Sequence, residues 1–248
     1  MSGLARVVWS EGMHLSQHHF QAQTRYFEEL TTFALRSVAY EPWGLAACEL
    51  DAEALLNGTV AIVHARGIMP DGLCFSFPEE PAPAARNVRD VFSPTQDAQL
   101  VLLAVPAYAP GAANAGPAQR FLPATVSVGD DVSGDDPRDV GIARGNFRLL
   151  LEGEPQDGLA LLPLARVRRD GAGHFVYDSD YVAPSLRIGA SPRLLHLLQR
   201  LIDIMQARAD TLRAERAAAV GANGSNGGSG ANGSDYASRE VAAFWLSH

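Results

Sequence analysis

Histidines and a glutamate near the start of the chain are the first residues whose types and spacing could bind a metal ion. The stretch VVWSEGMHLSQHHFQ, residues 7–21, contains Glu11, His14 and His18, and the two histidines are four residues apart. On one helix they would share a face and could converge on one cation. Against a metal, the sequence has no HExxH motif, Ser16 is placed to cap a helix between the histidines, and no further ligand is evident. We therefore expect polar histidines on a packed or interface-facing turn, and no metal.

Five aspartates between residues 129 and 139 are a second group that could bind a cation. The segment GDDVSGDDPRD offers carboxylate oxygens from a loop, and such oxygens are the ligands that Ca²⁺ prefers. The spacing does not match an EF-hand loop, so a solvated acidic loop is the preferred interpretation. The aspartates are Asp130, Asp131, Asp135, Asp136 and Asp139.

Sequence motifs of nucleophilic and cofactor-dependent enzymes are absent. The chain has no GxSxG, no P-loop and no GxGxxG after a strand. Its only cysteines, Cys48 and Cys74, lie outside any CxxC motif, which argues against a disulfide framework or a zinc ribbon and indicates buried small hydrophobic residues. We predict no catalytic residues, no cofactor and no enzyme activity. An unrecognised hydrolase would need a site built from scattered residues.

Composition and charge narrow the class of protein further. The 248 residues are 47% hydrophobic and 19% charged, which is enough for one large domain with a smaller appendage. The net charge of −8 argues against nucleic-acid binding, because RVRR at 166–169 is the nearest candidate for a basic patch and is too small. No signal peptide and no run of 18 uncharged apolar residues is present, which predicts a reduced, soluble, cytoplasmic protein.

The period of the hydrophobic residues predicts two long helices around a β domain. A helix is predicted over residues 17–39, where Phe20 is expected to belong to the core, and Pro42 ends it. Residues 44–185 alternate short apolar runs with turn residues, which is typical of a β-sandwich or barrel. Within them, the pair Asn57-Gly58 predicts a type I′ hairpin. The apolar face of the first helix consists of Phe20, Phe27, Leu30, Ala34 and Val38.

A second turn signal in the β domain is the tripeptide Pro70-Asp71-Gly72. It predicts a tight connection to a strand over residues 73–77, whose apolar residues would share one face.

A C-terminal helix is predicted over residues 192–218, with Ser191 as its N-cap and Pro192 at its first position. Its apolar residues repeat at near-heptad spacing, with Arg208 at one position of the row, which is typical of a bundle helix. The row consists of Leu194, Leu198, Leu201, Met205 and Leu212, and a second row of Leu195, Ile202 and Ala209.

The glycine-rich segment 221–234 has no charge and nothing to bury, and predicts a flexible linker. A helix is predicted to restart after it, with Val241, Phe244, Trp245 and His248 as its packing face. We therefore expect a domain over residues 1–188 and an incomplete helical region over residues 189–248.

The opening stretch groups aromatic, methionine and leucine side chains with a few polar anchors. Such a set is typical of the core of a protein interface, but it could equally plug one end of a β-sandwich. The residues alone slightly favour the plug. They are Trp9, Met13, Leu15 and Phe20, beside Glu11 and His19.

Four motifs in fixed order carry a family resemblance: VVWSEGMHLSQHHFQ, EPWGL, GIMPDGLCFSFP and YVAPSLRIGASPRL. They strongly resemble TssK, the family of trimeric baseplate subunits of the bacterial type VI secretion system. The resemblance extends from Val7 to about Leu212 and resumes at REVAAFWLSH. It implies a β-sandwich shoulder domain resembling phage receptor-binding proteins, followed by a helical neck, and a role in adhesion rather than catalysis.

The resemblance also implies partners and sites. Trimers would bind the baseplate wedge proteins TssF and TssG through the shoulder, at the cytoplasmic face of the inner membrane. Contacts with the membrane complex belong to the family's C-terminal head, and are expected only where that head is present. We predict a partner-binding set of Trp9, Glu11, Met13, Leu15 and His19, and self-association through the row from Leu194 to Leu212.

The sequence departs from the family pattern at three places. Where the family reads EGMFLxPQHFQ, this chain has His14 and Gln17-His18, and it contains the glycine-rich segment 221–234. Third, these residues are expected not to include the family's head. The alternative function is a phage-adhesin-like sandwich that binds a carbohydrate or small ligand. The loop YAPGAANAGPAQR offers only Tyr108 as an aromatic platform, which favours the assembly role.

Overall fold

The computed structural model describes residues 5–89, 91–92 and 97–223. The chain forms two compact units, residues 1–197 and residues 198–248, and the described part of the second unit is residues 198–223 of one helix. Within the described residues, no helix is both long enough and apolar enough to cross a membrane.

The first unit is mainly antiparallel β, which confirms the predicted fold class. Its strands are β1 Gly44–Leu50, β2 Thr59–Val60, β3 Ile62–Ile68, β4 Cys74–Phe77, β5 Arg86–Asn87, β6 Ala98–Pro106, β7 Phe121–Val128, β8 Arg138–Gly145, β9 Arg148–Leu151, β10 Leu159–Arg169 and β11 Phe175–Tyr177. The helices are α1 Gln17–Val38, the short α2 Ala52–Leu56 and α3 Pro192–Asn223, with a 3₁₀ turn at Ile188–Ala190.

Two larger sheets enclose the hydrophobic core. One has the strand order β1-β3-β4 and the other has the order β11-β10-β6-β9, and every paired strand is antiparallel. A single cluster of buried side chains joins both sheets, which is the packing expected of a sandwich. The largest fully buried members are Phe77, Leu45, Leu55, Met69, Leu103, Leu151 and Leu162.

Two predicted turns have different outcomes. The turn at residues 70–72 is confirmed, because the Gly72 N–H donates to the Met69 carbonyl at 2.9 Å between β3 and β4. The predicted Asn57-Gly58 hairpin is wrong, because Asn57 has a φ of −85° and ends helix α2. The Asp51 side chain accepts a hydrogen bond from the Ala54 N–H at 2.8 Å, and this N-cap starts the helix.

Gly58 closes α2 instead of forming a hairpin. Its φ is +77° and its N–H donates to the Leu55 carbonyl at 2.7 Å, which is the left-handed geometry that glycine adopts after the last turn of a helix.

The two long helices have the predicted limits to within one residue at three of their four ends. Helix α1 covers Gln17–Val38, while α3 begins at Pro192 and continues to Asn223 rather than residue 218. The first three residues of the predicted linker are therefore helical, and its remainder, with the predicted packing face at Val241, Phe244, Trp245 and His248, lies outside the described residues.

The apolar face of α1 is exposed, which contradicts the prediction that Phe20 belongs to the core. Phe20 is 56% exposed and Phe27 is 55% exposed, while Tyr26 is the buried residue of this helix. The reason is that polar side chains make the contacts with the β domain. Thr32 lies against Gly72, and Arg36 Nη2 donates to the Pro70 carbonyl at 2.7 Å.

The two cysteines are free, but they are not both buried as predicted. Cys74, in the edge strand β4, is exposed, and Cys48, in β1, is partly buried. Burial raises the pKa of the Cys48 thiol to about 11, so this thiol stays protonated at neutral pH.

Candidate partner-binding surface

The opening segment runs back along helix α1 and is attached to it at two points. Arg6 Nε donates to the Tyr26 hydroxyl at 3.0 Å. Further along, the Trp9 ring lies 6.1 Å from the His19 ring and 6.3 Å from the Phe20 ring, measured between centroids. We call Trp9, His19 and Phe20 the Trp9 cluster. These contacts fix the segment against the first turns of α1.

His19 has a capping role that its sequence position did not reveal. Ser16 is the N-cap of α1, and its backbone N–H donates to His19 Nδ1 at 3.2 Å. His19 stands at the third helical position, where glutamate or glutamine usually accepts this bond in a capping box. The Ser16 hydroxyl oxygen also lies 3.0 Å from Nδ1. The His19 ring therefore caps the first turn of α1 and also packs beside the Trp9 ring.

Replacing His19 with alanine should lower the free energy of unfolding by about 1 kcal/mol, because the Ser16 N–H loses its acceptor. A His19→Gln variant should retain most of the stability, since its side-chain carbonyl can accept the same bond. Urea denaturation followed by circular dichroism measures both changes. Equal stability of the alanine variant and the unchanged chain would contradict the capping role.

The remaining predicted contact residues lie in the turn before the helix. Met13 Sδ accepts a hydrogen bond from the Ser10 N–H at 3.4 Å, which closes the turn that carries Glu11. Trp9 is 51% exposed and Leu15 is 53% exposed. The plug interpretation is therefore wrong for these two side chains. The Trp9 and Phe20 rings form an apolar surface exposed to solvent, and Leu15 is an exposed apolar residue close to them in sequence.

The acidic loop and the histidines do not form a metal site in the part of the chain that the structure describes. No group of three or more histidine, cysteine, aspartate or glutamate side chains there could hold an ion. In the loop between β7 and β8, Asp130 Oδ1 accepts bonds from the backbone N–H groups of Ser133 and Val132, at 2.8 Å each. These bonds lower the pKa of Asp130 and shape the exposed loop.

Two of the sequence motifs pair with each other in space. Leu45 of EPWGL donates through its N–H to the Pro184 carbonyl at 2.8 Å, and the Leu186 N–H returns a bond to the Leu45 carbonyl, also at 2.8 Å. An added Cβ on Gly44 would lie 2.6 Å from the Pro184 oxygen, so only glycine permits this approach. The pairing fixes the segment that leads into α3.

Sequence reasoning missed two long-range contacts of charged residues, one between α1 and the β domain and one within the β domain. The Arg25 guanidinium lies 4.6 Å from the centre of the Tyr108 ring, which covers one face of the aromatic side chain considered as a carbohydrate platform. Arg120, a buried residue, donates through Nη1 to Asp71 Oδ2 at 2.5 Å. Arg25 and Tyr108 are 83 positions apart, and Arg120 and Asp71 are 49 positions apart, so no local spacing could indicate either contact.

Comparison with known proteins shows which family this chain belongs to. A family model described as "Bacterial Type VI secretion, VC_A0110, EvfL, ImpJ, VasE" matches residues 19–248, which is most of the chain. The baseplate component TssK1 of Pseudomonas aeruginosa strain PAO1 is 36% identical over 228 residues. The chain belongs to the TssK family of type VI secretion baseplate components. This confirms the resemblance carried by the four motifs.

Solved TssK structures share the fold. A crystal structure of TssK aligns with a TM-score of 0.75 at 28% identity, covering 86% of this chain and 49% of that one. A chain of a TssK–TssF–TssG baseplate subcomplex aligns with a TM-score of 0.79 at 24% identity. The alignment covers 87% of this chain and 73% of that one. The match to TssK1 includes 88% of this chain and 50% of TssK1. The chain therefore spans about half the length of that relative.

Proposed function

We propose that this chain is a structural adaptor of the type VI secretion baseplate, which binds TssF and TssG through residues 1–188 and self-associates through α3. The observation that carries the proposal is the Trp9 cluster with its exposed apolar neighbours. A chain of a solved TssK–TssF–TssG baseplate subcomplex has the same fold, which supports these partners. The role is one of adhesion, at the cytoplasmic face of the inner membrane, and involves no catalysis.

The Trp9 cluster has the physical properties of a binding hot spot. Tryptophan is enriched at such positions because a large rigid ring buries much area at little entropic cost. Trp9 is half-exposed, yet the His19 and Phe20 rings hold it in place. Preorganisation of this kind lowers the cost of binding. Glu11, Met13 and Leu15 complete the proposed contact set, with one carboxylate beside the apolar residues.

Self-association is proposed from the exposure of α3. The predicted row includes Leu201, which is 54% exposed, and Met205, which is 63% exposed. A helix with two apolar rows needs neighbouring helices to cover them, and near-heptad spacing suits a bundle between chains. We propose three copies around this helix, with residues 189–248 as the neck.

Replacing Trp9 with alanine should weaken binding to co-expressed TssF and TssG by at least about 2 kcal/mol, with little change in the melting temperature. The physical reason is that a half-exposed ring contributes more area to a partner than to its own fold. Co-purification measures retention, and biolayer interferometry gives the affinity. Tyr40→Ala is the matched control, because Tyr40 is an aromatic residue 94% exposed and outside the contact set.

Unchanged TssF and TssG binding by the Trp9 variant would contradict the contact set. Failure of the unchanged chain to co-purify with either protein would contradict the adaptor role. Loss of binding in both variants would show that the Trp9 cluster is not the specific determinant.

A further inference from the structure

A cleft of about 530 Å³ lies between helix α1 and one end of the β6–β10 strand pair. Its lining combines charged and apolar groups from four parts of the first unit. These are Arg36 of α1, the turn residues Pro70 and Asp71, Ala107, Tyr108 and Arg120 after β6, and Leu159, Ala160 and Leu161 of β10. We call it the Arg36 cleft. It contains no residue of the Trp9 cluster.

Two hydrogen bonds hold Arg120 at the cleft, and both are donated by the same nitrogen, Nη1. Nη1 donates to Asp71 Oδ2 at 2.5 Å and to the Pro106 carbonyl at 3.0 Å, and only 7% of the side chain is exposed. Asp71 Oδ1 accepts from the Leu73 N–H at 3.2 Å, so both carboxylate oxygens of Asp71 are engaged. The guanidinium is therefore fixed in place with further N–H donors beside the cleft.

Arg36 contributes a second guanidinium from the opposite wall. Its Nη2 donates to the Pro70 carbonyl at 2.7 Å, and it makes no ion pair with a described residue. Two arginines against one aspartate leave the lining with a net positive charge, in a chain whose formal net charge is −8. Arg25, whose guanidinium lies 4.6 Å from the centre of the Tyr108 ring, adds further positive potential near the cleft.

The chemistry of this lining selects an anion with an apolar group attached. Planar guanidiniums bind carboxylates through paired N–H donors, and partial burial strengthens such bonds. A carboxylate alone would not fill a cleft of about 530 Å³, because sites of roughly 300–1,000 Å³ hold much larger ligands. The side chains of Leu159 and Leu161 provide an apolar wall for the remainder.

We propose that the Arg36 cleft binds a segment of a partner protein in which a glutamate or aspartate stands next to a leucine-sized apolar residue. The carboxylate contacts the free donors of Arg36 and Arg120, and the apolar side chain lies on the β10 wall. Charge complementarity supports this occupant. The site is separate from the contact set proposed for TssF and TssG, so its failure would leave that proposal intact.

The test uses the full chain labelled with ¹⁵N and the peptide N-acetyl-Leu-Glu-Leu-amide. Side-chain Nε–H signals of the arginines are followed by NMR during titration, beside the isosteric N-acetyl-Leu-Gln-Leu-amide and free 4-methylpentanoate. We expect saturable shifts at Arg36 and Arg120 with the glutamate peptide. The glutamine peptide should bind at least about tenfold more weakly, because it lacks the charge.

Variants locate the site on the chain. Arg36→Gln should weaken binding of the glutamate peptide by about tenfold or more, because the charge at the cleft is removed. Arg148→Gln, at an exposed arginine of β9, is the matched control and should bind normally. Arg36→Lys should give an intermediate affinity, because it keeps the charge but loses the paired donors.

Three results would overturn the proposal. Equal binding of the glutamate and glutamine peptides would exclude carboxylate recognition. Unchanged affinity in Arg36→Gln would exclude the cleft. Equal affinity for free 4-methylpentanoate would assign the cleft to a small acid rather than a protein segment.

Discussion

Replacing Phe77 with alanine should lower the free energy of unfolding by about 3–5 kcal/mol. Phe77 has no exposed surface and lies at the centre of an aromatic group, with ring centroids 5.5 Å from Phe75 and 5.4 Å from Phe147. The change removes both the buried area and the ring contacts, and rigid strands on either side limit collapse of the cavity. Urea denaturation monitored by far-UV circular dichroism gives the free energy.

The matched control is Phe33→Ala in helix α1. Phe33 is 59% exposed, so the same chemical change should cost less than about 1 kcal/mol. Similar losses at both positions would show that the exposed face of α1 is buried in solution. A small loss at Phe77 would contradict the position of the core between the two sheets.

Placing glutamate at Leu201 should abolish self-association of the chain. If α3 packs against its copies through the Leu194–Leu212 row, the variant buries an unpaired carboxylate at the seam, which costs about 3–5 kcal/mol. That cost corresponds to roughly a hundredfold or greater increase in the dissociation constant. Light scattering should give a multiple of 26.5 kDa for the unchanged chain and 26.5 kDa for Leu201→Glu.

Ala207→Glu is the control for this experiment. Ala207 lies outside both apolar rows of α3 and is exposed, so a charge there should leave the assembly intact. An unchanged chain that stays monomeric at tens of micromolar would contradict self-association through α3. Dissociation by both glutamates would point to a general loss of helix stability rather than a seam.

Two of the sequence motifs pair within the first unit and hold the residues that lead into α3. EPWGL and YVAPSLRIGASPRL are about 140 residues apart in sequence, yet Leu45 exchanges two backbone hydrogen bonds with Pro184 and Leu186. The second motif continues directly into α3 at Pro192. The start of the helix is therefore attached to strand β1, in the sheet that also holds the β3–β4 turn.

Local chemistry explains why the sequence predicted the helices so closely. Ser16 and Ser191 precede the first residues of α1 and α3, and capping depends only on residues within one turn. The β3–β4 turn was predicted for the same reason. The Asn57-Gly58 prediction failed because a second local signal, the Asp51 N-cap, formed a helix there and used Gly58 to end it.

The residue pattern and the four motifs determined the family, the antiparallel β class and three of the four limits of the long helices, because periodicity, caps and turn residues act over a few positions. Tertiary structure alone decided which apolar face is covered. Periodicity identified the face with Phe20 and Phe27 but could not reveal that Thr32 and Arg36 make the contacts with the β domain. Tertiary structure alone also decided the Arg36 cleft. Its residues Asp71 and Arg120 are 49 positions apart in sequence, and only packing of the chain brings them into contact.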